Sequence, residues 1–209
     1  MLRVGLTGGI AAGKSTAGRM FAELGCHLIN SDDITHQLFE PGQAVHSAVA
    51  GAFGKRILAP DGRIDRRILG EIVFSDPAAR AKLNGLVHPA VIQRHREWLE
   101  EKEQQDPQGV AIVDAALMIE VGTYKNYDKI IVVTCTPGIQ RQRLRTRSNL
   151  TEEQIDARIL AQMPMEEKVK FADFVIDSSG DLSKTRRQVE EISSKLQEFA
   201  ASTSGMRRP

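Results

Sequence analysis

Apolar residues in this chain form short continuous runs, separated by longer stretches in which they recur every three or four positions. The first run, residues 2–7, leads into Gly8-Gly9-Ile10-Ala11-Ala12-Gly13-Lys14-Ser15-Thr16. A helical period then begins, with Met20, Phe21 and Leu24 apolar and Gly25 as its C-terminal stop. Residues 27–30, 110–114, 129–135 and 174–176 are predicted as four further strands. The unbroken apolar character of 110–114 suits a strand covered on both faces. Between strands two and three the periodicity is helical. It is broken by Pro41-Gly42 and by Pro60-Asp61-Gly62, restarts at Asp76-Pro77, and runs to about Gln105 with a break at His88-Pro89. Thr136-Pro137 opens a helix through Arg147, and Thr151-Glu152-Glu153 opens another. Asp181 opens a last amphipathic helix carrying Val189, Ile192, Leu196 and Phe199, and 202–209 reads as a disordered tail.

Strands alternating with helices predict an α/β fold with a doubly wound, five-stranded parallel sheet. The helical stretch between strands two and three is longer than one crossover needs. It is predicted to be an inserted subdomain over the carboxyl ends of the strands, where such sheets bind ligands. Strand two is expected beside strand one.

Composition narrows the function classes. The chain has 209 residues, with 28 basic and 27 acidic side chains and a formal net charge of +1. No overall field draws in nucleic acid or an anionic membrane, so an anionic ligand needs a local constellation. Two cysteines in apolar surroundings, Cys26 and Cys135, suggest buried thiols in a reducing compartment. No apolar run approaches a membrane span, and the start does not read as a signal peptide. A soluble cytoplasmic protein with no obligate protein partner is expected.

The local constellation is Gly8-x4-Gly13-Lys14-Ser15, a Walker A pattern with a strand before it and a helix after it. Glycines let backbone N–H groups converge on phosphates, and the helix N-terminus adds its dipole. Gly8, Gly9, Ala11, Ala12, Gly13, Lys14, Ser15 and Thr16 are therefore expected to bind ATP. Lys14 would reach the β/γ oxygens and Ser15 would ligate Mg²⁺. The plain alternative is a glycine-rich turn of structural use only. Asp114, at the end of strand three, is the candidate Walker B carboxylate for Mg²⁺. Its alternative is a buried carboxylate satisfied by loop amides. Asp32, just past strand two, could be the base for an acceptor hydroxyl or merely the cap of the next helix. Arg143 and Arg147 share one helical face and suit a lid arginine pair that gathers transition-state charge. A solvated arginine face is the bland account. Arg141 and Arg145 share another face. With Leu144 between the two faces and no aromatics near, the four arginines form no nucleic-acid stripe. No Asn-Lys-x-Asp base-reading motif of GTP-binding proteins is present.

Leu6-Thr7-Gly8-Gly9-Ile10-x-x-Gly13-Lys14-Ser15-Thr16 resembles the phosphate loop of the dephospho-CoA kinase family. The likeness continues in order through Asn30-Ser31-Asp32-x-Ile34, Glu40-Pro41-Gly42, Asp65-Arg66-x-x-Leu69-Gly70, Val73-Phe74 and Val87-His88-Pro89. Asp114-Ala115-Ala116-Leu117-Met118-Ile119-Glu120, Gln140-x-x-Arg143-Leu144-x-x-Arg147, Ala161-Gln162-Met163-Pro164-x-Glu166-x-Lys168 and Ala172-Asp173-Phe174-Val175-Ile176 complete it. Two positions depart from the family pattern: Asn30 stands for an aspartate and Ala116 for a proline. The resemblance implies a P-loop kinase in which ATP phosphorylates the ribose 3′-hydroxyl of dephospho-CoA, with Mg²⁺ as cofactor. It implies a nucleotide-binding core (1–33, 110–147, 165–201), a helical substrate subdomain (34–109) and a lid (148–164). Lys14, Asp32 and Arg143 would be catalytic, and Asp32, Arg66, His88 and Leu117 would meet the acceptor. Arg66 could instead pair with Asp65 or a neighbouring helix, and His88 could be a packing residue at a helix break. The competing classes are a nucleoside monophosphate kinase, a nucleic-acid-binding ATPase and a non-catalytic nucleotide sensor.

Overall fold

In a computed structural model, which describes residues 1–147 and 151–204, the apolar runs form one five-stranded sheet. The strands are β1 (Leu2–Gly8), β2 (His27–Asn30), β3 (Val110–Asp114), β4 (Lys129–Thr134) and β5 (Phe174–Asp177). Their order is β2-β3-β1-β4-β5. β1 runs parallel to β3 and β4, and β4 runs parallel to β5. The expectation that strand two neighbours strand one is therefore wrong, because β3 lies between them. Local patterning names strands but says nothing about which pair. Here the most deeply buried runs, β3, β1 and β4, take the interior positions, and the short, more exposed β2 and β5 take the edges.

Helices α1 (Lys14–Glu23) and α9 (Leu182–Ser204) pack on one face. Phe21, Leu6, Ile131, Ile176, Val189 and Leu196 form a continuous core there. The other face buries Met118, Ile119, Ile130 and Val132, against which Tyr124, Met163 and Met165 pack. Helices α6 (Pro137–Arg147), α7 (Glu152–Leu160) and α8 (Met165–Val169) follow β4. Thr151 caps α7 in a reciprocal capping box with Gln154. The helix α9 runs through Ser204 and so takes in the first three residues of the expected tail. Residues 205–209, and 148–150 of the expected lid, lie outside the described residues.

The chain divides into two compact units, one of residues 1–29 and 99 onward, the other of Asn30–Trp98. The seam falls at 30 and 98, where the sequence placed it at 34 and 109. The second unit contains α2 (Ser31–Leu38), α3 (Ala44–Phe53), a short 3-10 turn at Lys55–Ile57, and α4 (Arg66–Ser75). It also holds the first part of α5 (Pro77–Gln105). Gly62, at φ 82°, closes the turn that brings Leu58 and Ile64 into a β-bridge. The expected break at His88-Pro89 does not occur, since α5 runs unbroken through Pro89. Proline removes one N–H and crowds the carbonyl four residues back, here that of Gly85, whose bare Cα has open space beside it. Tertiary packing then outweighs the local cost. Val87, Val91, His95 and Leu99 recur at four-residue spacing as a buried stripe across the proline.

Candidate active site

β1 ends at Gly8, where a Cβ would run into the Val133 carbonyl of the neighbouring strand. The loop that follows holds the only non-glycine residue at positive φ among those described, Ala11 at 57°. Gly13, at φ 89°, caps α1. Left-handed backbone beside right-handed backbone turns successive N–H groups inward as an anion nest. The N–H groups of Ala11, Gly13, Lys14 and Ser15 have no intramolecular partner among the described residues. That leaves a row of donors at the head of a helix whose dipole also favours an anion.

The loop is held from outside by side chains from distant parts of the chain. Gln162 Oε1 accepts from Ile10 N at 2.7 Å, and Gln140 Nε2 donates to Ile10 O at 2.8 Å. Ser178, buried just past β5, donates to the Ala12 carbonyl at 2.6 Å. Arg143 donates to Ser178 Oγ at 2.9 Å, to Ser178 O at 2.7 Å and to Ala11 O at 3.3 Å. Arg143 is thus no solvated surface residue: its guanidinium spans the phosphate loop and the end of β5. Cys135, expected to be buried, is half-buried beside it; burial raises its thiol pKa and the Arg143 charge opposes that shift.

Arg141 and Arg145 do something different. Arg141 pairs with Asp156 and lies 3.4 Å from Glu152, while Arg145 grips Glu152 at 2.6 and 2.9 Å, so both staple α6 to α7. The helical-face arithmetic placed Arg143 apart from Arg141 and Arg145, and their contacts differ accordingly. The side chain of Arg147 lies outside the described residues.

Lys14 and Asp114 meet as an ion pair, with the carboxylate almost wholly buried. This contact follows from register: Asp114 pairs with Leu6 across the sheet, level with the last turn of β1 before the loop. Asp114 is therefore not satisfied by loop amides alone. Ser15 is exposed in the first turn of α1, with no hydrogen bond to its hydroxyl among the described residues. A hydroxyl and a carboxylate are hard oxygen donors of the kind that hold Mg²⁺ alongside nucleotide phosphates, so the residues present fit such an ion. No group of three or more His, Cys, Asp or Glu suited to a metal occurs among the described residues, which leaves phosphate oxygens and water to complete any coordination.

In the helical unit, Asp32 sits exposed in the first turn of α2. The cap of that helix is Asn30, whose Oδ1 accepts from Asp32 N at 2.7 Å. The capping account of Asp32 therefore fails, and the departure at Asn30 keeps a good capping residue. Arg66 is exposed and forms no ion pair among the described residues, so the pairing with Asp65 or a neighbouring helix is not found. Asp65 instead caps α4 through the N–H groups of Arg67 and Ile68 at 2.9 and 3.0 Å. His88 is half-buried, and burial lowers its pKa. It lies inside α5, not at a break. Leu117 is half-buried in the turn after β3. The sequence reading missed His95, buried on α5 with its pKa lowered to about 4 by burial and with Nε2 3.0 Å from Ser31 Oγ. It also gave no role to Ser178, and it placed Gln140 and Gln162 only within segments that carry the family resemblance. Gln140 stands three residues before Arg143, hence on the same face, and that spacing was a usable signal. A lone buried serine offers none.

A family model described as dephospho-CoA kinase matches residues 2–184. A dephospho-CoA kinase of Aquifex aeolicus is 41% identical over 196 residues, covering 94% of this chain and 98% of the relative. One from Geobacillus kaustophilus is 44% identical over 193 residues, with coverage of 91% and 94%. A solved structure, a dephospho-CoA kinase from Campylobacter jejuni, superposes with a TM-score of 0.70 at 28% identity, covering 94% of this chain and 98% of that one.

Proposed function

The chain belongs to the dephospho-CoA kinase family, and on that footing we propose how its residues transfer the γ-phosphoryl group of ATP to the ribose 3′-hydroxyl of dephospho-CoA, giving coenzyme A and ADP. The observation that carries the nucleotide half is the row of unpartnered N–H donors at Ala11, Gly13, Lys14 and Ser15. These would bind the phosphates, with Gly8, Gly9, Ala12 and Thr16 shaping the loop around them. Lys14 would exchange Asp114 for the β/γ oxygens, a denser negative charge than one carboxylate. Asp114, so released, and Ser15 Oγ would hold Mg²⁺, which when bound neutralises charge on the β- and γ-phosphates. Arg143 would turn part of its donor set towards the equatorial oxygens as negative charge gathers there, helped by Arg147.

On the acceptor side, Asp32 would take the proton of the 3′-hydroxyl as that oxygen attacks the γ-phosphorus. The support is its exposure at α2 with capping delegated to Asn30. Arg66, exposed and unpaired among the described residues, suits a substrate phosphate. His88 and Leu117 would complete the acceptor contacts. No helix among the described residues is long and apolar enough to cross a membrane. We place the reaction in the cytoplasm, where ATP is supplied, with small molecules as its only partners.

The test is transfer from [γ-³²P]ATP to a panel of acceptors. Dephospho-CoA should be labelled at the 3′-hydroxyl, with AMP, UMP and thymidylate poor by kcat/KM. A nucleoside monophosphate preferred over dephospho-CoA would overturn the substrate assignment.

A further inference from the structure

We propose that Lys168 and Glu120 are positioning residues of the nucleotide site: a buried ion pair that ties the turn after β3 to the segment gripping the phosphate loop. The proposal rests on the reading of that loop as the ATP site. Lys168, on α8, is 0% exposed. Its ammonium donates to the Ala116 carbonyl at 2.8 Å and meets Glu120 Oε1 at 2.8 Å. The same Oε1 accepts from Met163 N at 3.1 Å. The preceding residue, Gln162, accepts from Ile10 N. At the other end, Thr7, wholly buried in β1, donates to the Ala116 carbonyl at 3.1 Å. A closed polar circuit therefore leaves β1 at Thr7, passes through Ala116, Lys168, Glu120 and 162–163, and returns to Ile10 in the loop that β1 feeds. Every member lies in the same compact unit.

Stability alone does not account for this pair. Taking an ammonium and a carboxylate out of water is costly, and two apolar side chains of similar volume usually serve a core as well or better. Glu120 Oε2, moreover, is buried with no hydrogen-bond partner among the described residues. An apolar pair lacks direction. The ammonium fixes the turn that follows Asp114 at hydrogen-bond distance from the backbone of 162–163, and that segment fixes Ile10. Next to Ile10 is Ala11, held at a left-handed φ that an L-residue adopts only under constraint. Releasing Ile10 should let the nest relax and misdirect its donors.

Removing Lys168 alone would strand a buried carboxylate, so the informative variant is Lys168→Met combined with Glu120→Gln. It carries no buried charge and keeps an amide oxygen for Met163 N. The measurements are the Kd of N-methylanthraniloyl-ATP by fluorescence, KM for ATP, kcat and Tm. The expected result is a Kd and KM at least tenfold higher, kcat changed less than threefold, and Tm close to that of the parent. Gln162→Met, which cuts the same circuit at the loop, should raise Kd likewise. The triple variant should be no worse than the weaker of the two, since both changes break one tether. A folded double variant with parental Kd, or Kd increases that multiply in the triple variant, overturns the proposal. Should the double variant not fold, Gln162→Met decides alone, and a parental Kd there also overturns it. Failure of the parent protein itself to bind the fluorescent nucleotide would instead refute the ATP-site reading.

Discussion

The phosphate loop and the start of α2 treat their sequence-marked residues in opposite ways. Around the loop the marked Lys14 and Arg143 are already engaged, Lys14 with Asp114 and Arg143 with Ser178 and Ala11. At α2 and α4 the marked Asp32 and Arg66 stand exposed, while a partly buried polar contact joins Ser31 of α2 to His95 of α5. A nest that must present N–H groups in a fixed array needs backing from several strands and helices. An acceptor-side base needs mainly a helix end that holds its backbone. Substitutions at the loop should therefore disturb structure and chemistry together, whereas those at α2 should separate them.

Lys14→Ala is the largest expected effect, a kcat loss of at least about 10³-fold. It also removes the Lys14 ammonium from beside the buried Asp114 carboxylate, so Tm should fall with it. Adding Asp114→Asn should restore much of the Tm and none of the kcat. Near-normal turnover in folded Lys14→Ala would break the comparison at its stronger end.

Asp32→Asn should lower kcat by about 10²–10⁴-fold with Tm unchanged, because Asn30 does the capping. An unchanged kcat would remove Asp32 from the chemistry altogether.

His95 sharpens the contrast through pH. Burial holds its folded-state pKa at about 4, below the ordinary value of 6.5. Between those two values the unfolded chain binds more protons, so stability rises with pH across the window and is lost as pH falls from 6.5 towards 4. The loss at the acid end should be on the order of 3 kcal/mol. Urea unfolding of wild type and His95→Gln at pH 7 and pH 4.5 measures it, and identical pH slopes in the two proteins would refute it.

Arg143→Lys keeps the charge but loses the fork that spans Ser178 and Ala11. A drop in kcat/KM for ATP of about tenfold is expected, with a small loss of Tm. Wild-type kinetics would reduce Arg143 to a structural brace.

The smallest effect belongs to Asn30→Ala. Losing the cap should cost about 1 kcal/mol of stability while the Asp32 carboxylate remains. Equilibrium unfolding reads this directly.

The sequence by itself determined the five strands and most of the helices, since unbroken apolar runs and 3.6-residue periods are local and strong here; β3 and β2 came out residue for residue. It also determined the phosphate loop, because its chemistry is confined to eight consecutive residues, Gly8 to Ser15. Helical spacing likewise separated Arg143 from Arg141 and Arg145 before any contact was seen. Only the tertiary structure decided the strand order, the persistence of α5 through Pro89, the identity of the α2 cap, and the contacts of His95, Ser178, Gln162 and Lys168. Each of these turns on a contact between residues distant in the chain or on packing that outweighs a local propensity. A lysine on a short polar helix reads as solvated until the fold encloses it. What lies across from a residue is not written beside it.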